Sequence, residues 1–110
     1  MSNTYNNQTH MWEIDSTGTL WTNSMTAARA YTTGPKYVTR IVFFPSAVSD
    51  DIIFQETSSS EDAIKLKASP SDTSPITIDF SAEHGGKGRR LVGCKVTTLD
   101  GTSTANLYLA

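Results

Sequence analysis

Alternation of apolar and polar side chains is what most narrows the folds open to this chain. In "AIKLKA", Ile64 and Leu66 fall on one side of an extended backbone while Lys65 and Lys67 fall on the other. In "ITIDF", Ile76, Ile78 and Phe80 alternate with Thr77 and Asp79, and near the end Leu107 and Leu109 alternate with Asn106 and Tyr108. Successive side chains of a strand point to opposite faces, so a two-residue repeat predicts strands with one face buried. "DIIFQE" and "LVGCKVTTL" predict two more. The run "KYVTRIVFF" is apolar on both faces from Ile41 to Phe44. That pattern places it centrally, with its second face covered by another layer or by a partner.

Turn-forming residues break these runs at spacings of about ten residues: Gly34-Pro35, Pro45-Ser46, "SSSED", "SPSDTSP" and Asp100-Gly101. Asp100-Gly101 precedes the final strand, which predicts that the last two strands form a hairpin. "WEIDSTGTLW" predicts a second hairpin, turning at Ser16 to Gly18 with Trp12 and Trp21 on its arms. "NSMTAARAY" is the one helical candidate; it is barely two turns long and rich in Thr, so it reads as a strand or an irregular crossing. About eight short strands separated by turns predict an all-β fold. The expectation is one antiparallel β-sandwich domain over residues 11–110, of jelly-roll or immunoglobulin-like type. Residues 1–10 are mostly polar and predict a flexible N-terminal arm, frayed or docked on a neighbouring subunit.

Composition then removes whole classes of function. The formal net charge of −2 supplies no field that would draw in nucleic acid or an anionic membrane, and neither is expected as a partner. The single Cys94 lies in an apolar run and reads as a buried, inert thiol; no histidine context suggests a nucleophile. One cysteine and two well-separated histidines are too few ligands for zinc. The acidic residues Asp50-Asp51, Glu61-Asp62 and Asp72 to Asp79 lack calcium-loop spacing and read as solvated turns. Neither G-x-S-x-G nor H-E-x-x-H occurs. The expectation is a protein that is not an enzyme, with no catalytic residues, no metal and no cofactor. With no basic-apolar leader at its start and no apolar run of about twenty residues, it is expected to be soluble and made in a reducing cytoplasm.

One basic, glycine-rich stretch remains, "EHGGKGRRLVGCKV". A phosphate-binding P-loop needs a Ser or Thr after its lysine and a helix after that. Here Lys87 is followed by Gly88 and then by an alternating strand. The three glycines instead suit the positive φ angles of a wide hairpin or Greek-key loop. Lys87, Arg89 and Arg90 then make a cationic tip, either solvated or set against an acidic partner surface. Trp12 and Trp21 read either as core or interface anchors, or as platforms for sugar rings in a carbohydrate- or receptor-binding module. These five are the candidate partner-contact residues.

Residues 36–110 also have a cadence of their own. An apolar strand ends in a "P-x-A-x-x-D" turn at Pro45, Ala47 and Asp50. A glycine-bearing loop leads into "RLVGCKVTT", from Arg90 to Thr98, and "LYL" at Leu107 to Leu109 closes the chain. This pattern resembles small β-sandwich structural proteins of tailed bacteriophages, particularly capsid decoration (cement) proteins. The resemblance implies a non-enzymatic virion component that bridges and stabilises neighbouring capsid subunits. It also implies the major capsid protein or another virion protein as partner, and a homo-oligomer, often a trimer. The Ser-rich middle turns and the tryptophan-bearing N-terminal segment depart from the pattern.

Overall fold

The computed structural model describes residues 3–6, 8–21, 35–86 and 88–110, and within them it forms an antiparallel β-sandwich. The strands are β1 (Thr4–Asn6), β2 (Met11–Ile14), β3 (Gly18–Trp21), β4 (Pro35–Phe44) and β5 (Asp51–Gln55). They continue as β6 (Ile64–Lys67), β7 (Ile76–Asp79), β8 (Arg89–Val92), β9 (Cys94–Leu99) and β10 (Thr104–Leu109). One sheet runs β1-β2-β10-β4, with β7 and β8 both on the far edge of β4; the other runs β3-β9-β5-β6. The "NSMTAARAY" segment lies outside the described residues.

One core joins the two sheets. Trp12, Ile14, Ile41, Phe43 and Leu107 from the first meet Trp21, Ile52, Phe54, Leu66 and Val96 from the second. Each large apolar side chain buried in this way contributes roughly 1.5–3 kcal/mol relative to exposure. In "IKLK", Ile64 and Leu66 are buried while Lys65 and Lys67 are exposed, as the alternation requires. Those two lysines also line an outer edge of the second sheet, where charge discourages further strand pairing.

The strand number exceeds the expected eight for two reasons. "LVGCKVTTL" divides at Gly93, whose φ of +76° turns β8 of one sheet into β9 of the other. The N-terminal residues, expected as a flexible arm, supply the other extra strand. Thr4, Tyr5 and Asn6 pair with Glu13, Trp12 and Met11, and the Tyr5 and Trp12 rings sit 5.4 Å apart. Asn3 secures the strand, its Oδ1 accepting from the Asp15 and Ser16 amides at 2.8 and 3.1 Å and its Nδ2 donating to the Ser16 carbonyl. Side-chain amides replace the apolar anchors that the segment lacks.

Neither expected hairpin forms. β2 and β3 belong to different sheets, as do β9 and β10. The turns at Ser16–Gly18 and Asp100–Gly101 reverse the chain as predicted but carry it across the sandwich. Local turn chemistry fixes where a chain reverses; burial decides what each strand then pairs with. Crossing lets Trp12 and Trp21 enter the core from opposite layers, 6% and 0% exposed. The true hairpins are β1–β2 and β5–β6.

The long strand β4 is central, as expected, yet only one of its faces is apolar throughout. The pairing with β10 slips so that Tyr108 faces Arg40 and Leu109 faces Val38, leaving Thr39 as a bulge. The bulge keeps Val38, Ile41 and Phe43 on the inner face despite their uneven spacing. Val42 is half-buried on the outside and Phe44 is 39% exposed.

Candidate functional site

Two surface regions collect the residues of interest, both set by β4 and its partners. The first is the glycine-rich loop. β7 pairs with Arg40–Phe43 and β8 with Pro35–Val38, so the two short strands continue each other along a single edge. Residues 80–86 and 88 lie off that edge, and because β7 and β8 both pair with β4 the two strands do not form a hairpin with each other. Gly85, Gly86 and Gly88 do take positive φ, of +66°, +96° and +107°. Gly88 is the most constrained, because a Cβ there would fall on the carbonyl of Val38. Its amide donates to the Glu83 carbonyl at 3.0 Å.

The cationic tip divides. The Arg89 guanidinium is held by its own loop, with Nε 2.8 Å from Glu83 Oε1 and Nη2 3.0 Å from Oε2, and it lies 4.6 Å above the Phe80 ring. The Glu83 hydrogen bonds raise its pKa further. Arg90 points to solvent, while Lys87 lies outside the described residues. Trp12 and Trp21 are core side chains, which corrects their assignment as partner contacts: neither presents a ring face to a sugar or a neighbour. The carbohydrate reading thereby loses its platforms.

The second region is the β4–β5 turn, residues 45–50. Its centre is the Asp50 carboxylate, which accepts through Oδ2 from Ser46 Oγ at 2.6 Å, from the Ala47 amide at 3.0 Å and from Ser103 Oγ at 3.0 Å. Ser103 is 1% exposed, and its hydroxyl also accepts from the Ser46 amide at 2.9 Å. The Ser46 hydroxyl, then Ser103 and the backbone donors, hold the Asp50 carboxyl below the usual carboxylate range. The Ser49 amide donates to Ser69 and the Ala68 amide to Asp50, which ties the turn to the end of β6 as well. From this fixed frame Val48 projects, 47% exposed, four residues beyond Phe44.

Next to it stands a second carboxylate arrangement that the spacing did not reveal. The Asp51 amide donates to Asp100 Oδ2 at 3.0 Å, and the Asp100 amide returns a bond to the Asp51 carbonyl at 3.2 Å. Asp50-Asp51 and Asp100-Gly101 were each visible as turn residues, but no local signal announced that they meet. Asp72 accepts from the Ser74 amide and Asp62 from Gln55, each a solvated turn contact. Among the described residues no group of three or more His, Cys, Asp or Glu is placed to hold a metal. Cys94 is fully buried, and burial pushes its thiol pKa far up.

No family model, curated protein or solved structure matches this chain.

The outer face of the first sheet completes the surface. Arg40 lies 4.3 Å above the Tyr108 ring, with Asp79 opposite it in the ladder. They border a shallow depression of about 210 Å³. A wider one of about 350 Å³ lies between Glu13, Asp15 and Asn106. Both are open, and the wider one is mostly polar-edged, which suits contact with a protein surface more than enclosing a small molecule.

Proposed function

We propose that this chain is a structural protein of a tailed-phage virion, a capsid decoration protein that bridges and stabilises neighbouring capsid subunits. The observation that carries this reading is the β4–β5 turn. It is the "P-x-A-x-x-D" element of the resemblance, its aspartate is fixed by three donors, and it displays the exposed Val48 beyond the exposed Phe44. A preordered turn presenting apolar side chains loses little entropy when a partner covers it. Covering the exposed parts of Phe44 and Val48 is worth on the order of 1 kcal/mol each. One such contact is weak, so a bridging role calls for several copies acting together, as in a homotrimer seated on the major capsid protein. The protein would be made in the host cytoplasm and end in the virion.

The test is to quantify the chain in virions purified from its source. Copy numbers comparable to those of the major capsid subunit are expected, and absence from particles ends the proposal. A Phe44→Ser/Val48→Ser variant should fold and keep its melting temperature yet bind depleted particles more weakly; undiminished binding would move the contact elsewhere.

A further inference from the structure

We propose that β1 is an exchangeable arm: when copies of this chain assemble, Thr4–Asn6 of one copy docks on β2 of a second copy in place of its own. β1 is the end strand of the first sheet and pairs with β2. Its withdrawal therefore leaves the β2-β10-β4 ladder whole. It also leaves a surface that favours being covered again. Trp12, 6% exposed, loses the Tyr5 ring that sits 5.4 Å from its own, and β2 gains an open backbone edge. The cover that fits is another β1, because the site is already shaped to that sequence.

The fastenings of β1 are of a kind that a second copy supplies equally well. Asn3 Oδ1 accepts from the Asp15 and Ser16 amides, and Asn3 Nδ2 donates to the Ser16 carbonyl. Tyr5 Oη and His10 Nδ1 lie 3.2 Å apart. Each of these bonds joins the β1 side of the hairpin to the β2 side, so each re-forms between identical chains. The register is its own mirror: Thr4 lies opposite Glu13 and Asn6 opposite Met11, with Tyr5 opposite Trp12 between them. Two copies running antiparallel therefore meet in the same register, each arm on the other's β2.

What favours opening lies at the hinge. His10 leads into β2 and holds φ at +53°, a left-handed conformation in which a residue with a Cβ is strained. Its carbonyl is fixed by the Leu109 amide at 2.8 Å, a bond that stays in place whether the arm folds back or reaches out. Straightening the chain ahead of β2 releases the strain. Exchange gives up the bonds from the Gln8 and Thr9 amides to Asn6 Oδ1, both of them exposed, so water takes their place. A short strained hinge next to an end strand is the arrangement from which swapped assemblies arise. The exchange joins copies to one another and needs no particle, so it and the virion reading fail separately.

Light scattering on the full chain and a directed cross-link test this. Thr4 and Glu13 are exposed and opposite each other in the ladder, within disulfide reach. A Thr4→Cys chain and a Glu13→Cys chain, one of them isotope-labelled, are unfolded, refolded together at high protein concentration and then oxidised. Cys94 is buried in the refolded chain and takes no part. Mass spectrometry should find position 4 of one chain joined to position 13 of the other, well above the share that random collisions give, and light scattering should find the parent as an oligomer. His10→Gly accepts a φ of +53° without strain and should lower the exchanged fraction several-fold. A parent that is monomeric at every concentration overturns the proposal, as do cross-links at the random ratio. An exchanged fraction unchanged in a folded His10→Gly chain overturns it too.

Discussion

Replacing Gly88 by alanine should be among the most damaging single-methyl additions in the described chain. At φ +107° an alanine is strained by roughly 1–3 kcal/mol before any contact is considered. The added Cβ would also meet the Val38 carbonyl, so backbone has to move. The parts that would move are the fixed ones: Val38 is fully buried, and Thr39 is the β4 bulge whose carbonyl accepts from the Phe80 amide at 2.8 Å. Losing that bond or the one from Gly88 to Glu83 costs about 1 kcal/mol each. The sum is about 3–5 kcal/mol, or a fall in melting temperature of ~12–20 °C for a domain of this size. Gly85 is the control. Its φ is +66° and nothing lies within 4 Å of a built Cβ, so alanine there should cost only about 1–2 kcal/mol. Calorimetric melts of the two variants check the difference. If Gly88→Ala melts no lower than Gly85→Ala, the close approach of the loop to β4 is not what requires glycine.

Three further outcomes are expected. Trp21→Ala should lose about 3–5 kcal/mol in urea titrations, and Trp21→Phe much less, because the buried indole N–H finds no partner among the described residues. Cys94 should resist a thiol-reactive chromophore in the folded protein and react only as the chain unfolds; prompt labelling of the native state would contradict its burial. Asp50 has a depressed pKa, so its contribution is present above the unfolded value of 3.8 and is lost as pH falls through the folded value. Asp50→Asn should therefore melt lower than the parent at neutral pH, with the gap closing in acid.

How much of this was legible beforehand depended on the range of the interaction responsible. Side-chain alternation is a property of neighbours, and Ile64, Leu66, Phe80 and Leu107 are buried as the pattern required. The positive φ angles of Gly85, Gly86 and Gly88 were likewise readable from composition. The Thr39 bulge disguised the facing of β4, since a slip of register makes a one-sided strand look two-sided. The strand Thr4–Asn6 was hidden because Asn3 stabilises it through side-chain bonds to residues far along the chain. The candidate contact residues show the same limit. Arg89 could not be seen to spend its charge on Glu83, nor Trp12 and Trp21 to face inward from opposite layers, until pairing was known. Asp50 and Ser103, 53 positions apart, fall in the same category.

The crossings between the sheets have a consequence for how the molecule comes together. Strands of the first sheet come from residues 4–14, 35–44, 76–92 and 104–109, and those of the second from the intervening stretches 18–21, 51–67 and 94–99. Each layer is thus threaded through the other in chain order, and no contiguous fragment contains one whole layer without strands of the other. Assembly has to close long loops before much burial rewards it, which places folding in the millisecond-to-second regime of non-local β-topologies. Once closed, neither layer can peel away while the other persists, so loss of structure should come as a single concerted event.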